Sequence, residues 1–165
     1  MEMTMMASGI RLRRPTAGDG SRVWRLLRTA GGLDVNTPYS YIMLCDLFGD
    51  SCVLAEAEGE PVGFVSALRL PERDDTLFVW QVAVHPSARG RGLAKAMLRE
   101  LLGRRTEIRY VEATISPSNG ASQALFRSLA RERGCVCRVT AGYAAELFPK
   151  GQTHEEEERY RVGPL

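Results

Sequence analysis

The segment Arg89–Ala94 has the sequence Arg-Gly-Arg-Gly-Leu-Ala and combines residue types that bind phosphate. It follows an apolar stretch ending at Val84 and precedes a run of apolar residues at helical spacing. Glycine lets backbone N–H groups approach an oxyanion closely, and a helix N-terminus adds about half a positive charge. Arg89 and Arg91 would add charge-assisted hydrogen bonds. The spacing is neither G-x-G-x-x-G nor a Walker loop, so it predicts another kind of phosphate loop, with an ordinary Gly-rich turn as the alternative.

Formal charge is distributed unevenly along the chain. The total is +2, but residues 1–84 carry net −3, residues 85–138 carry +7 and residues 139–165 carry −2. The basic middle block predicts an anionic partner. The acidic flanks contain Asp34 and the run Glu155–Glu158, which are candidates for binding a cation.

The elements that must position the loop are a strand before it and a helix after it. Residues 77–84 are apolar at nearly every position, which predicts a strand buried on both faces. Strands are also predicted over 10–14, 52–56, 62–68, 110–115, 135–139 and 159–162. Helices are predicted from a cap at Asp19 to a stop at Gly31, and over 39–48, 93–102 and 119–131, the last with Ala121, Leu125, Phe126 and Leu129 facing inward. This order predicts an α/β protein.

Length and composition indicate a globular protein. The chain has 165 residues, with 44% hydrophobic and 25% charged, which is typical of one domain. We expect a flexible leader over 1–9 and a single domain over 10–165. No stretch predicts a signal peptide or a bilayer span, and the four cysteines are expected to be reduced, so we expect a cytoplasmic protein. Neither the cysteine spacing nor His85 and His154 predicts a metal site.

The loop also resembles the R-x-x-G-x-[GA] signature of the GNAT superfamily of acetyltransferases. Ile115–Phe126 resembles the segment in which that superfamily caps a helix with an Asn facing pantetheine. The resemblance implies the GNAT fold, with a mixed sheet of about six to seven strands, splayed fourth and fifth strands and about four helices. It implies acetyl-CoA as co-substrate, bound by the backbone of Val82 and Val84, by the loop Arg89, Gly90, Arg91, Gly92, Leu93 and Ala94, and by Asn119 and Ser122.

Four further segments resemble the L-2,4-diaminobutyrate acetyltransferases of ectoine biosynthesis. They are 33–41, 63–66, 75–84 and 154–157, and the ending 161–164 fits as well. The resemblance implies direct transfer of acetyl, in a ternary complex, to the 4-amino group of L-2,4-diaminobutyrate, giving the precursor of a compatible solute. It also implies a homodimer.

The generic GNAT acid and base are absent from this sequence. Many members use a Glu on the fourth strand as base and a Tyr beyond the Asn as acid, but here those positions hold Trp80-Gln81 and Phe126. An alkyl ammonium has a pKa near ~10, so attack still requires removal of a proton.

We expect Asp34 and Glu157 to bind the ammonium groups and His154 or Glu157 to accept the proton. Trp80 would contact the carbon chain and attract the cation through its π face, and Tyr39 and Tyr41 would line the pocket.

Each candidate residue has a plainer interpretation. Trp80 can be a core residue, Asp34 can stabilise a turn, Asn119 can be only a helix cap, and the glutamate run can be solvated surface. For the whole protein, the alternatives are an acetyltransferase for another amine or polyamine, a non-catalytic acyl-CoA-binding module, and nucleic-acid binding by the basic block. We expect neither nucleic acid nor membrane as a partner.

Overall fold

The computed structural model describes residues 3–165, which form one mixed sheet of eight strands and four α-helices. The strands are β1 (Met3–Met5), β2 (Arg11–Arg13), β3 (Cys52–Ala57), β4 (Glu60–Leu70), β5 (Arg73–Val84), β6 (Tyr110–Ile115), β7 (Val136–Tyr143) and β8 (Glu157–Gly163). Their order in the sheet is β1-β2-β3-β4-β5-β6-β8-β7. The helices are α1 (Gly20–Ala30), α2 (Pro38–Leu47), α3 (Leu93–Arg104) and α4 (Gly120–Arg133).

The segment expected as a flexible leader contributes a strand. Met3–Met5 pair antiparallel with Arg11–Arg13, which raises the number of strands to eight, above the predicted six to seven. Met1 and Glu2 lie outside the described residues.

The chain divides into two compact units. The first comprises the described residues up to 68 together with 79–106, and the second comprises 69–78 and 107–165. In the first unit, α1 and α2 pack on one face of the sheet, where Leu54, Phe64 and Ala83 join their cluster of buried side chains. On the other face, a Cβ at Gly63 would lie 3.0 Å from the Met97 side chain, so glycine here allows close approach of α3.

Helix α1 begins beside a buried ion pair. The Asp19 side chain accepts hydrogen bonds from both terminal nitrogens of Arg13, each at 2.8 Å, and from the Thr16 backbone N–H at 2.8 Å. Asp19 is the N-cap residue as predicted, but its carboxylate does not cap a backbone N–H of the helix; besides these bonds it accepts from the Arg22 side chain of α1 at 3.2 Å. The helix ends at Gly31, whose φ of 71° is readily adopted by glycine.

In the second unit, α4 lies beside β7 and β8, the two strands beyond β6. Phe126, Leu129 and Ala130 are buried on α4, whereas Ala121 is exposed, so its predicted inward position is wrong. Ala121 stands in the first turn, where α4 emerges from the loop, and the burial begins further along the helix.

The part of β5 that pairs with β6 belongs to the second unit. Thr76–Phe78 pair in parallel with Tyr110–Glu112 of β6, and β5 then continues to Val84 in the first unit. Along this later part Val79, Gln81 and Ala83 are buried, whereas Trp80 is exposed and Val82 and Val84 are only partly buried. The prediction that this strand is buried on both faces is therefore wrong, because an apolar sequence does not show whether both faces are covered.

No helix among residues 3–165 is long and apolar enough to cross a membrane.

Candidate active site

The segment between β5 and α3 has the geometry of an anion-binding loop. Residues 86–88 form a 3₁₀ turn capped by His85, whose Nδ1 accepts from the Ser87 backbone N–H at 3.1 Å. Gly90 and Gly92 then adopt φ of 77° and 70°, where an L side chain is strained. Gly92 is the N-cap of α3, and the first N–H groups of a helix have no acceptor within the helix. The loop therefore offers backbone donors at the positive end of a twelve-residue helix.

The two arginines of this loop differ in their contacts. Arg89 donates from Nη2 to the Ala30 carbonyl oxygen at 2.6 Å and from Nε to the Val84 carbonyl oxygen at 3.3 Å. These bonds tie the loop to the end of α1 and to the end of β5. Arg91 is exposed, so its guanidinium is accessible for an anion.

Asn119 caps α4 as the sequence predicts. Its Oδ1 accepts from the Ser122 backbone N–H at 3.2 Å. The capping interpretation of Asn119 is therefore confirmed, while contact of Asn119 or Ser122 with pantetheine stays a prediction.

In the first unit, Asp34 lies in the segment joining α1 and α2. Its side chain is exposed, and its backbone carbonyl accepts from Gln81 Nε2 at 2.9 Å. Gln81 Oε1 in turn accepts from the Tyr41 hydroxyl at 3.0 Å, inside the protein. Tyr41 is 0% exposed, so it does not line an open pocket as predicted, whereas Tyr39 is 72% exposed.

Trp80 lies on the half-exposed face of β5 together with Val82 and Val84. The Trp80 side chain is 40% exposed, which does not agree with a role confined to the core. Its indole face is thus accessible to a ligand.

In the second unit, His154 stacks on Phe148 with ring centroids 3.7 Å apart. His154 Nδ1 lies 2.6 Å from the Glu155 carbonyl oxygen. Because a carbonyl only accepts, Nδ1 donates the hydrogen of this bond.

Glu157 begins β8, opposite Tyr143 of β7. It is partly buried, whereas Glu155 and Glu156 before it are exposed, so the glutamate run is not uniformly solvated. Asp34 and Trp80 belong to the first unit and His154 and Glu157 to the second.

Sequence reasoning assigned no role to two of the buried polar side chains. Gln81 is one of them, and its signal was an amide within an otherwise apolar strand. The other is the Glu112 carboxylate, which is 0% exposed and receives ion pairs from Arg73, Arg159 and Arg161 of the same unit. Because buried carboxylates need partners, this cluster holds β5, β6 and β8 together, and its members come from distant parts of the sequence.

The described residues contain no cluster of three or more His, Cys, Asp or Glu side chains placed to hold a metal ion.

The fold and the loop together define an acyl-CoA-dependent acetyltransferase. The model of the acetyltransferase (GNAT) family matches residues 21–141, and the chain belongs to this family. The predicted GNAT fold is thereby confirmed. A putative acetyltransferase of Salmonella typhimurium, solved with acetyl-CoA, shares this fold at 18% identity and a TM-score of 0.73 over 94% of each chain.

More similar relatives carry a narrower name. L-2,4-diaminobutyric acid acetyltransferase of Shouchella clausii is 47% identical over 156 residues, covering 93% of this chain and 86% of that protein. The protein of the same name from Streptomyces avermitilis is 44% identical and covers 99% and 93%. The solved diaminobutyrate acetyltransferase EctA of Paenibacillus lautus, in complex with L-2,4-diaminobutyric acid and coenzyme A, is 51% identical with a TM-score of 0.91. It covers 94% of this chain and 95% of that one.

Proposed function

We propose that this protein transfers the acetyl group of acetyl-CoA to the 4-amino group of L-2,4-diaminobutyrate. The observation that carries the proposal is the similarity to EctA of Paenibacillus lautus, whose structure contains that diamine and coenzyme A, at 51% identity and a TM-score of 0.91. The product would be the N4-acetyl compound that ectoine biosynthesis cyclises to a compatible solute.

The loop after β5 fits the diphosphate of coenzyme A. Backbone N–H groups at Gly90–Ala94 and the N-terminus of α3 would bind its oxygens, and Arg91 would neutralise charge. Arg89 supports this loop through its bonds to Ala30 and Val84, so we assign Arg89 a share in shaping the site as well.

The diamine carries two ammonium groups and one carboxylate, so its site requires more acid than base. We assign one ammonium to the exposed carboxylate of Asp34 and the other to Glu157, and we assign the indole of Trp80 to the carbon chain. Tyr39 is accessible enough to contact the substrate, while Tyr41 supports the site from within.

The 4-ammonium must lose a proton before its nitrogen lone pair attacks the thioester carbonyl. We assign this proton to His154 or to Glu157, directly or through water. The C–N bond forms as the C–S bond breaks, and the sulfur leaves as a thiolate that takes up the second proton, which the nitrogen loses on becoming an amide. A thiol has a pKa near ~8.5, so the leaving group needs little help from an acid, which is consistent with Phe126 in place of the usual Tyr.

Steady-state rates of coenzyme A release with different amines test the identity of the substrate. We expect kcat/KM for diaminobutyrate to exceed that for ornithine, one methylene longer, by at least about tenfold. Equal rates with ornithine or a polyamine would favour the alternative of another amine. Binding of acetyl-CoA without release of coenzyme A for any amine would favour the non-catalytic alternative.

Two variants test the assigned residues, with a matched control. We expect Trp80→Ala and Glu157→Ala each to lower kcat/KM for the diamine by about a hundredfold or more, with acetyl-CoA affinity within about twofold. Glu156→Ala removes an exposed neighbouring carboxylate and should stay near wild type. Normal turnover by Trp80→Ala and Glu157→Ala would refute the assignment.

We also propose a cytoplasmic homodimer that binds neither nucleic acid nor membrane. All four cysteines are free thiols, in keeping with a reducing compartment. Strand β7 is last in the sheet order, and Val136, Tyr143 and nearby Leu147 are 61%, 44% and 71% exposed. An edge strand with exposed apolar side chains fits pairing with a second copy. Light scattering after size exclusion should give twice the chain mass, and Val136→Lys should give a monomer.

A further inference from the structure

Gln81 has a buried side-chain amide whose nitrogen and oxygen both form hydrogen bonds. It is 5% exposed. Its Nε2 donates to the Asp34 carbonyl oxygen at 2.9 Å, and its Oε1 accepts from the Tyr41 hydroxyl at 3.0 Å. The same Tyr41 oxygen accepts from the Asn36 backbone N–H at 3.1 Å. The amide and the phenol therefore bind backbone groups on either side of Val35.

The backbone that they hold is irregular. Residues 31–37 lie between α1 and α2 outside regular secondary structure. They begin with Gly31 and Gly32, both at positive φ. Because glycine has no Cβ, the backbone at the start of this segment can adopt many conformations. Leu33 and Val35 pack against the core of the first unit, whereas Asp34 between them is exposed. The hydrogen bonds to Asp34 and Asn36 thus hold a short segment whose ordering costs conformational entropy.

The network also links this segment to the strand that carries Trp80. Gln81 follows Trp80 in β5, and its backbone N–H donates to the buried Ser66 hydroxyl of β4 at 3.2 Å. Tyr41 is fully buried within α2. Asp34 is therefore anchored to two elements of the first unit that are themselves fixed by core packing.

We infer that Gln81 and Tyr41 are positioning residues that fix the Asp34 segment so that its carboxylate receives an ammonium of the diamine. This inference rests on the proposed function for its substrate, but the ordering of residues 33–36 is a property of the protein alone. As positioning residues, neither Gln81 nor Tyr41 contacts the substrate. They act on binding of the diamine through the Asp34 backbone.

The experiment uses Gln81→Met and Tyr41→Phe, which keep side-chain volume and remove the hydrogen bonds. We expect KM for diaminobutyrate to rise about tenfold in each, with KM for acetyl-CoA within about twofold. The two effects should be non-additive in the double variant, because both substitutions remove the hydrogen bond between Tyr41 and Gln81. Backbone amides of residues 33–36 should exchange with deuterium faster in each variant without any ligand.

Ser66→Ala is the matched control, because it removes a buried hydrogen bond to the Gln81 backbone and leaves both side-chain bonds intact. It should lower the melting temperature with little change in KM for the diamine. Unchanged exchange at residues 33–36 in Gln81→Met, a parallel rise of both KM values, or a similar KM change in Ser66→Ala would overturn the inference. If the wild-type protein does not acetylate the diamine, the proposed function fails, and the exchange result still decides whether Gln81 and Tyr41 order the segment.

Discussion

We expect the Arg13–Asp19 ion pair at the start of α1 to raise the free energy of unfolding in a pH-dependent way. Asp19 is 5% exposed and accepts from Arg13 and from the Thr16 backbone. Burial raises the pKa of the Asp19 carboxyl, but the hydrogen bonds from Arg13 and Thr16 outweigh it and hold the pKa at about 2, against an ordinary 3.8. A difference of this size between folded and unfolded chains corresponds to about 2 kcal/mol of stability at neutral pH.

Because the pKa of Asp19 is lowered in the folded protein, its contribution to stability increases with pH. This stabilisation is fully present above the unfolded pKa of 3.8 and is lost as the pH falls through about 2. We therefore expect Asp19→Asn to lower the free energy of unfolding by about 2 kcal/mol at pH 6, and by about half as much at pH 3. The assay is urea unfolding followed by circular dichroism at pH 6, 4 and 3.

Asp50→Asn is the control, since its partner Arg14 and Asp50 itself are largely solvent-exposed, with side chains 46% and 66% accessible. An exposed pair contributes at most about 1 kcal/mol. Equal losses in Asp19→Asn and Asp50→Asn, or a loss in Asp19→Asn that stays constant from pH 6 to pH 3, would contradict the stabilising role of the Arg13–Asp19 ion pair.

Two further predictions concern the loop and the thiols. Gly92→Ala forces an alanine to a φ of 70° and should weaken coenzyme A binding about tenfold, as measured by calorimetry. Gly103→Ala, within α3, is the control and should leave the affinity unchanged. Equal affinities in the two variants would contradict the assignment of the loop to coenzyme A. Burial raises the pKa of both Cys45 and Cys52 to about 12, so neither thiol should be alkylated at pH 8 in the native protein, as mass spectrometry would show; rapid labelling of either would contradict their burial.

Most helices and strands of this fold are predictable from short-range patterns in the sequence. The cap at Asp19, the glycine after α1 and the spacing of apolar residues predict most elements to within a few residues. The Arg89–Ala94 loop is recognisable because its chemistry lies within six consecutive residues.

The long-range part is not predictable from local patterns. Gln81 meets Asp34 across 47 positions of sequence, and Glu112 meets Arg161 across 49. No periodicity links such residues, because only the tertiary fold brings them together. Strand β1 escapes prediction for the same reason, since its three residues are exposed and are defined by pairing with β2.

The labelled position of the product distinguishes transfer to N4 of L-2,4-diaminobutyrate from transfer to N2. The most direct measurement is an NMR spectrum of the product made with acetyl-CoA labelled with ¹³C at the acetyl carbonyl. Transfer to N4 predicts that the labelled carbonyl correlates with the methylene protons at C4. A correlation with the proton at C2, or no labelled product at all, would contradict it.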